Sequence, residues 1–349
     1  MDRRDFLRKG TTAAAGLAAT ERIMRGQNAV AAAGAPPGGG DNTASSHAAL
    51  QGDETMAASH ARPIPRRKLG KTGEELSIVG FGGIVVMNNS QSFANNIVAE
   101  AVDNGINYFD VAPSYGDAQA RLGPALEPYR KNSFLACKEE DWTRDGCAKL
   151  LDESLRLLRT DHVDLYQFHG LTKMAELDQI FGPSGAMETF EAARKAGKVR
   201  FIGFSAHSVE VALSAMDRFN FDTVLFPINF VLFSQANFGP QVIAKAQEKQ
   251  MGILALKGMA RSTWPQSEKS DHPHPKCWYE PADFPHQAAL GYRWTLSHPI
   301  TAAVPPGDER YFRLGMEIGL QFRPISGEET NTLMASASGV NPIFHLGTA

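Results

Sequence analysis

The sequence predicts an α/β fold: a single (β/α)₈ TIM barrel with an N-terminal hairpin, preceded by a disordered leader. Three observations carry that prediction. Short apolar or β-branched runs alternate eight times with longer amphipathic ones, the pattern of βα units around a parallel sheet. The chain has 349 residues, yet its first 64 hold one aromatic side chain, Phe6, of 31 in the whole, against 24 Gly or Ala. Such a segment cannot bury enough surface to offset its ordering entropy. The other 285 residues come close to the roughly 250 of one barrel. Finally, ionisable residues fall at or just beyond the C-terminal ends of the second, third and fourth runs, the rim where barrels keep their active sites.

Taken in order, residues 1–35 open with Asp2-Arg3-Arg4-Asp5-Phe6-Leu7-Arg8-Lys9 and continue into a weakly apolar stretch from Gly10 to Thr20. Paired arginines followed by Phe-Leu and a base resemble a bacterial twin-arginine export signal. The resemblance implies export machinery as a partner and a periplasmic or otherwise exported location, with the cytoplasm as the alternative. Ala33-Gly34-Ala35 offers a small-residue cleavage site, and residues 36–64 read as a disordered linker. Arg67 to Leu76, with Gly70 and Gly73 around Lys71-Thr72, predicts a hairpin that would plug the barrel's bottom.

The barrel is expected over 65–325 and a C-terminal tail over 326–349. Its strands are predicted at Ile78 to Phe81, Tyr108 to Asp110, Phe134 to Cys137, Val163 to Phe168, Val199 to Phe204, Thr223 to Phe226, Gly252 to Leu256 and Ala302 to Val304. Between them, Cys147 to Leu158 is typical of the helical stretches: Leu150, Leu151, Ser154, Leu155 and Leu158 share one face. After the seventh strand, Gly258 to Phe284 is too long for a plain connection and is expected to overhang the active site.

Composition narrows the function. With 35 basic and 38 acidic side chains the net charge is −3, which offers no broad footprint for nucleic acid. No run of about 18 apolar residues exists to span a membrane. Three cysteines, Cys137, Cys147 and Cys277, form no C-x-x-C pair, against a disulfide framework or zinc ribbon. No metal is expected. His272-Pro273-His274-Pro275 scatters its rings around proline and lacks a completing carboxylate, so it reads as a substrate-facing loop.

The rim residues are Asp110, Tyr115, Lys138 and His169. A phenol with a free pKa near 10 is a sluggish acid unless its anion is stabilised. An ammonium does that. Lys138 would serve Tyr115, Asp110 would hold Lys138, and His169 would orient a substrate carbonyl. The chemistry that suits the set is proton donation to a carbonyl oxygen as a cofactor delivers hydride to carbon.

Gly105-Ile-Asn-Tyr-Phe-Asp-Val-Ala-Pro-Ser-Tyr-Gly116 resembles the signature of the aldo-keto reductases, whose Asp and Tyr are two of four catalytic residues. The stretch SLRLLRTDHVDLYQFHG, from Ser154 to Gly170, is similar to that family's fourth-strand segment with the catalytic His. Gly197 to Ser205 resembles the fifth strand, and Leu122-Gly-Pro-Ala-Leu126 fits the helix after the Tyr. All four catalytic positions carry over. The resemblance implies NADP(H), with NAD(H) as the alternative, bound without a Rossmann domain, and a small carbonyl or alcohol substrate. Gly83, Ser205, Asn229, Lys257, Gly307 and Arg313 are expected to hold the cofactor, Arg310 and Arg313 being placed for a 2′-phosphate. Met87 and Trp142 are expected to line the substrate pocket. The chain departs from the family at Ala206, where Asn is common, at Leu225, where a Gln holds the nicotinamide carboxamide, and at Gln119, where an acid is frequent. An exported reductase lacks a ready supply of reduced cofactor, so an internally recycling epimerase and a non-catalytic nucleotide-binding partner protein are the alternatives.

Overall fold

The computed structural model describes residues 63–347. The leader, with its expected signal and nearly all of its linker, lies outside the described residues. A two-stranded antiparallel hairpin, β1 (Arg66–Lys68) and β2 (Glu75–Ser77), comes first. Eight parallel strands follow: β3 (Phe81–Gly82), β4 (Tyr108–Val111), β5 (Phe134–Glu139), β6 (Val163–Leu171), β7 (Val199–Ala206), β8 (Thr223–Pro227), β9 (Gly252–Leu256) and β12 (Ala302–Val304). They pair in the order β12-β9-β8-β7-β6-β5-β4-β3. A parallel bridge from Val79 to Ala303 closes the ring ahead of β3, with Gly80 N donating to Ala303 O at 2.9 Å.

Strand alternation divides the side chains into two cores. Tyr108, Phe134, Ala136, Leu165, Leu225, Leu254 and Ala302 point inward and form one buried cluster with Leu69 and Leu76 of the hairpin. The hairpin is thus the expected plug. Phe109, Leu135, Cys137, Tyr166 and Phe168 point outward and join the larger core under the helices. Among these, Arg144–Leu158 is capped by Thr143, which accepts from Gly146 N, and buries Leu151, Ser154, Leu155 and Leu158 of the predicted face together with Cys147, leaving Leu150 half-buried.

Two segments differ from the expectation. The span 326–349 contains a helix, Gly327–Ala337, started by a Ser326/Glu329 capping box and packed on the helices Phe230–Ala236 and His286–Leu296. The long segment after β9 is not bare loop: β10 (Ala260–Ser262) and β11 (Glu280–Pro281) pair across it. No helix among the described residues is long and apolar enough to cross a membrane.

Candidate active site

Alternation along the strands also builds the site. Above the apolar layer, the next inward positions of β4, β5 and β6 are Asp110, Lys138 and Gln167. Asp110 and Lys138 form an ion pair with side chains 5% and 1% exposed. The second Asp110 oxygen accepts from Gln167 Nε2 at 3.0 Å and from the Tyr108 hydroxyl at 3.3 Å. Buried charge is tolerated when it is paired and its remaining lone pairs are satisfied. Lys138 Nζ lies 5.2 Å from the centre of the Tyr115 ring, and the Tyr115 and His169 ring centres stand 5.8 Å apart, edge to face. The four expected catalytic side chains are therefore one cluster.

His169 reaches the rim through an irregularity. The β6–β7 register shifts between Phe168 and Leu171, and Gly170, at φ +65°, takes the left-handed turn. Gly170 N donates to Ser205 Oγ at 2.7 Å. His169 Nδ1 meets Glu140 Oε1, which also receives the Ser114 hydroxyl.

A pocket of about 690 Å³, counting its open mouth, lies over this cluster. Its walls include Asp110, Tyr115, Leu225, Leu256, Lys257 and Gly307. Lys276, Trp278 and Tyr279 reach it from the segment between β9 and the helix His286–Leu296, so that segment does overhang the site. Lys276 Nζ donates across to Val85 O at 2.6 Å, and burial pulls its ammonium below the ordinary lysine value.

The expected cofactor residues divide. Lys257 and Gly307 line the pocket, and a Cβ on Gly307 would meet Ile84 Cγ2 at 2.4 Å. Lys257 sits at φ +63°, its Nζ 3.2 Å from His207 Nε2 and 5.4 Å from the Trp278 ring centre. Gly82 lines the pocket in place of Gly83, whose added Cβ would strike Val111 at 2.7 Å. Asn229 is turned to structure: it caps the helix Phe230–Ala236 and donates to Lys257 O at 3.2 Å. Ser205 steadies the turn that aims His169. Arg313 is absent from the pocket wall because it pairs with Glu100 of a neighbouring helix and with Glu309, while Arg310 is held by Asp308.

Met87 and Trp142 are each 8% exposed and pack into the outer core, Trp142 against Phe168, outside the pocket wall. The His-Pro-His segment docks rather than faces substrate: Trp264 stacks on His272 with centres 4.1 Å apart, and His274 Nδ1 meets Asp308 at 2.8 Å. Among the described residues no three His, Cys, Asp or Glu gather as a metal site. All three cysteines are buried, and burial pushes Cys137 and Cys277 up to about 12.

Sequence reading missed Glu140, Gln167, Lys276, Trp278 and Tyr279. Gln167 was discoverable, two residues before His169 and thus on the same strand face; Glu140 lies within a run of charge, Lys138-Glu139-Glu140-Asp141, at a strand exit.

The parallel barrel with a cluster of ionisable side chains at its C-terminal rim defines a class of (β/α)₈ barrel, and comparison with known proteins narrows that class to a family. The aldo/keto reductase family profile matches residues 79–284, more than half of the chain. The chain belongs to the aldo/keto reductase family. It is 34% identical over 218 residues to L-galactose dehydrogenase of Arabidopsis thaliana, covering 56% of this chain and 66% of that one. It is 28% identical over 210 residues to the "Uncharacterized oxidoreductase YqkF" of Bacillus subtilis, covering 56% and 65%. These matches span just under two thirds of each relative. In fold, the chain resembles the aldo-keto reductase AKR11C1 of Bacillus halodurans in its holo form, with a TM-score of 0.63, 22% identity, and coverage of 81% of this chain and 99% of that one.

Proposed function

We propose that this chain is a nicotinamide-dependent oxidoreductase, NADP(H) being the family expectation, that reduces an aldehyde or ketone or oxidises the corresponding alcohol. The observation that carries the reading is the buried Asp110–Lys138 pair beneath Tyr115, with His169 edge-on to the phenol. The pocket walls suit a dinucleotide in outline. Lys257 and Lys276 supply two cations for phosphates, Leu225 and Leu256 an apolar wall for a ring, and Gly82 and Gly307 let the backbone of the wall pack against Val304 and Ile84. Leu225 and Ala206 provide no side-chain partner for a carboxamide. The cofactor would supply or accept the hydride.

The chain's own residues handle the proton and the geometry. Lys138, fixed by Asp110, stabilises the phenolate that Tyr115 leaves when its hydroxyl gives a proton to the substrate oxygen. His169 holds that oxygen in place. Trp278 and Tyr279 cover the reacting centre and thin the water around it. The Arg3-Arg4 leader extends the proposal to an exported enzyme that leaves the cytoplasm folded, carrying its cofactor.

The test is the nicotinamide absorbance of purified protein mixed with NADPH or NADH and a panel of aldehydes and ketones, or with the oxidised forms and alcohols. Substrate-dependent change is expected. Binding of neither cofactor, or no hydride transfer with any substrate, overturns the proposal.

A further inference from the structure

Glu140 is a charged rim residue for which the reductase reading has no use. One of its oxygens, Oε1, meets both the Ser114 hydroxyl and His169 Nδ1. The His169 side chain is 4% exposed and that of Glu140 28%. The loop presenting Glu140 has its own scaffold. Glu139 Oε1 accepts from the amides of Glu140 at 2.9 Å and Asp141 at 2.6 Å, and Glu139 Oε2 receives the Tyr166 hydroxyl. Asp141 Oδ1 then accepts from Thr143 N at 2.9 Å, at the start of the helix Arg144–Leu158. A side chain supported in this way orients its partner rather than drifting in solvent.

An ionised carboxylate has acceptors only. Both partners of Oε1 must therefore bring the hydrogen: Ser114 donates its O–H, and His169 carries a proton on Nδ1. A neutral imidazole with Nδ1–H has a lone pair on Nε2. That nitrogen can accept from a hydroxyl but cannot donate to a carbonyl. Only the imidazolium donates from both nitrogens.

We propose that Glu140 is a positioning residue that locks His169 in the Nδ1–H form, so that neutral His169 recognises an alcohol and protonated His169 recognises a carbonyl. The substrate half of this statement rests on the reductase reading; the tautomer half does not. Charged and titratable groups around the ring come from several elements. Glu140, on the loop after β5, favours the cation, and Lys138 of β5, itself paired with Asp110 of β4, opposes it. Tyr115, from the loop after β4, meets the ring edge to face, and His207, its Nε2 3.2 Å from Lys257 Nζ, follows β7, the strand that neighbours β6.

Two readouts follow. Once the ring loses its proton, the apparent KM for a carbonyl rises about tenfold per pH unit while that for the alcohol does not. Glu140→Gln, whose amide can turn its NH₂ toward the ring, relaxes this contrast. The deciding experiment needs no substrate: long-range proton–nitrogen NMR of the full chain with labelled histidine, across the titration, with His169 assigned by its loss in His169→Asn. The proposal expects a neutral wild-type ring protonated at Nδ1 and a growing Nε2–H population in Glu140→Gln. A neutral wild-type ring protonated at Nε2 overturns it, whether or not the variant folds, and so does an unchanged tautomer in a folded Glu140→Gln. Absence of turnover with every carbonyl would strike the reductase reading and leave the spectrum to judge the tautomer.

Discussion

Glu139 should make this barrel lose stability as neutrality is approached from the acid side. Its side chain is fully buried on the outer face of β5. Burial raises its pKa from 4.5 to about 7, although the Tyr166 hydroxyl and the amides of Asp141 and Glu140 pull the other way. Because the folded value lies above the unfolded one, the native chain keeps a proton that the unfolded chain gives up. The associated stability is full below about pH 4.5, falls as pH rises, and is gone above about pH 7; the linkage is worth about 3 kcal/mol. Glu139→Gln removes the titration while keeping an oxygen for the two amides. In urea unfolding from about pH 4.5 to about pH 8, the stability of the variant relative to wild type should climb by about 3 kcal/mol. Parallel curves across that range would refute the reasoning, since they would mean that Glu139 holds the same charge folded and unfolded.

Lys138→Met strands Asp110 with the Gln167 and Tyr108 donors alone among its recorded partners, which should cost about 3–5 kcal/mol. Adding Asp110→Asn should recover much of that loss in a double-mutant cycle, and simple additivity would show that the pair is not coupled. In the hairpin, Gly70 sits at φ +51° with room for a Cβ blocked by Gly252 N at 2.3 Å, whereas Gly73 sits at φ +85° with nothing within 4 Å. Gly70→Ala should therefore cost at least about 2 kcal/mol and Gly73→Ala about 1 kcal/mol in thermal or urea unfolding; equal losses would remove the plug contact from the account.

Seven of the eight strands were legible as short apolar runs, whereas the first, expected at Ile78 to Phe81, is only Phe81–Gly82 with Val79 held by an isolated bridge to Ala303, and the other misses lie at the C-terminal rim. Expected strands stop at Cys137 and Phe168, but β5 continues through Lys138 and Glu139 and β6 through His169 to Leu171. The polar residues that do the site's work interrupt the apolar pattern by which strands are recognised. That Asp110, Tyr115, Lys138 and His169 would gather at one rim was legible from spacing and resemblance together. The wall contributed by Trp278 and Tyr279 was not, since those residues are placed by a loop conformation that rests on His274 and Lys276 finding the distant partners Asp308 and Val85. Arg313 shows the same limit: a base in the second turn of a helix can serve an anion or a neighbouring helix, and its ion pair with Glu100, far away in sequence, could not be read from the chain.

The claim that Tyr115 is the acid of a nicotinamide-dependent reaction is tested most directly by Tyr115→Phe. The variant keeps the ring beside Lys138 and His169 and removes the hydroxyl. With cofactor affinity measured in parallel by fluorescence, the account predicts nearly unchanged binding and a fall in hydride transfer of about 10²–10⁴-fold. A variant that turns over carbonyl substrate at the wild-type rate would contradict it.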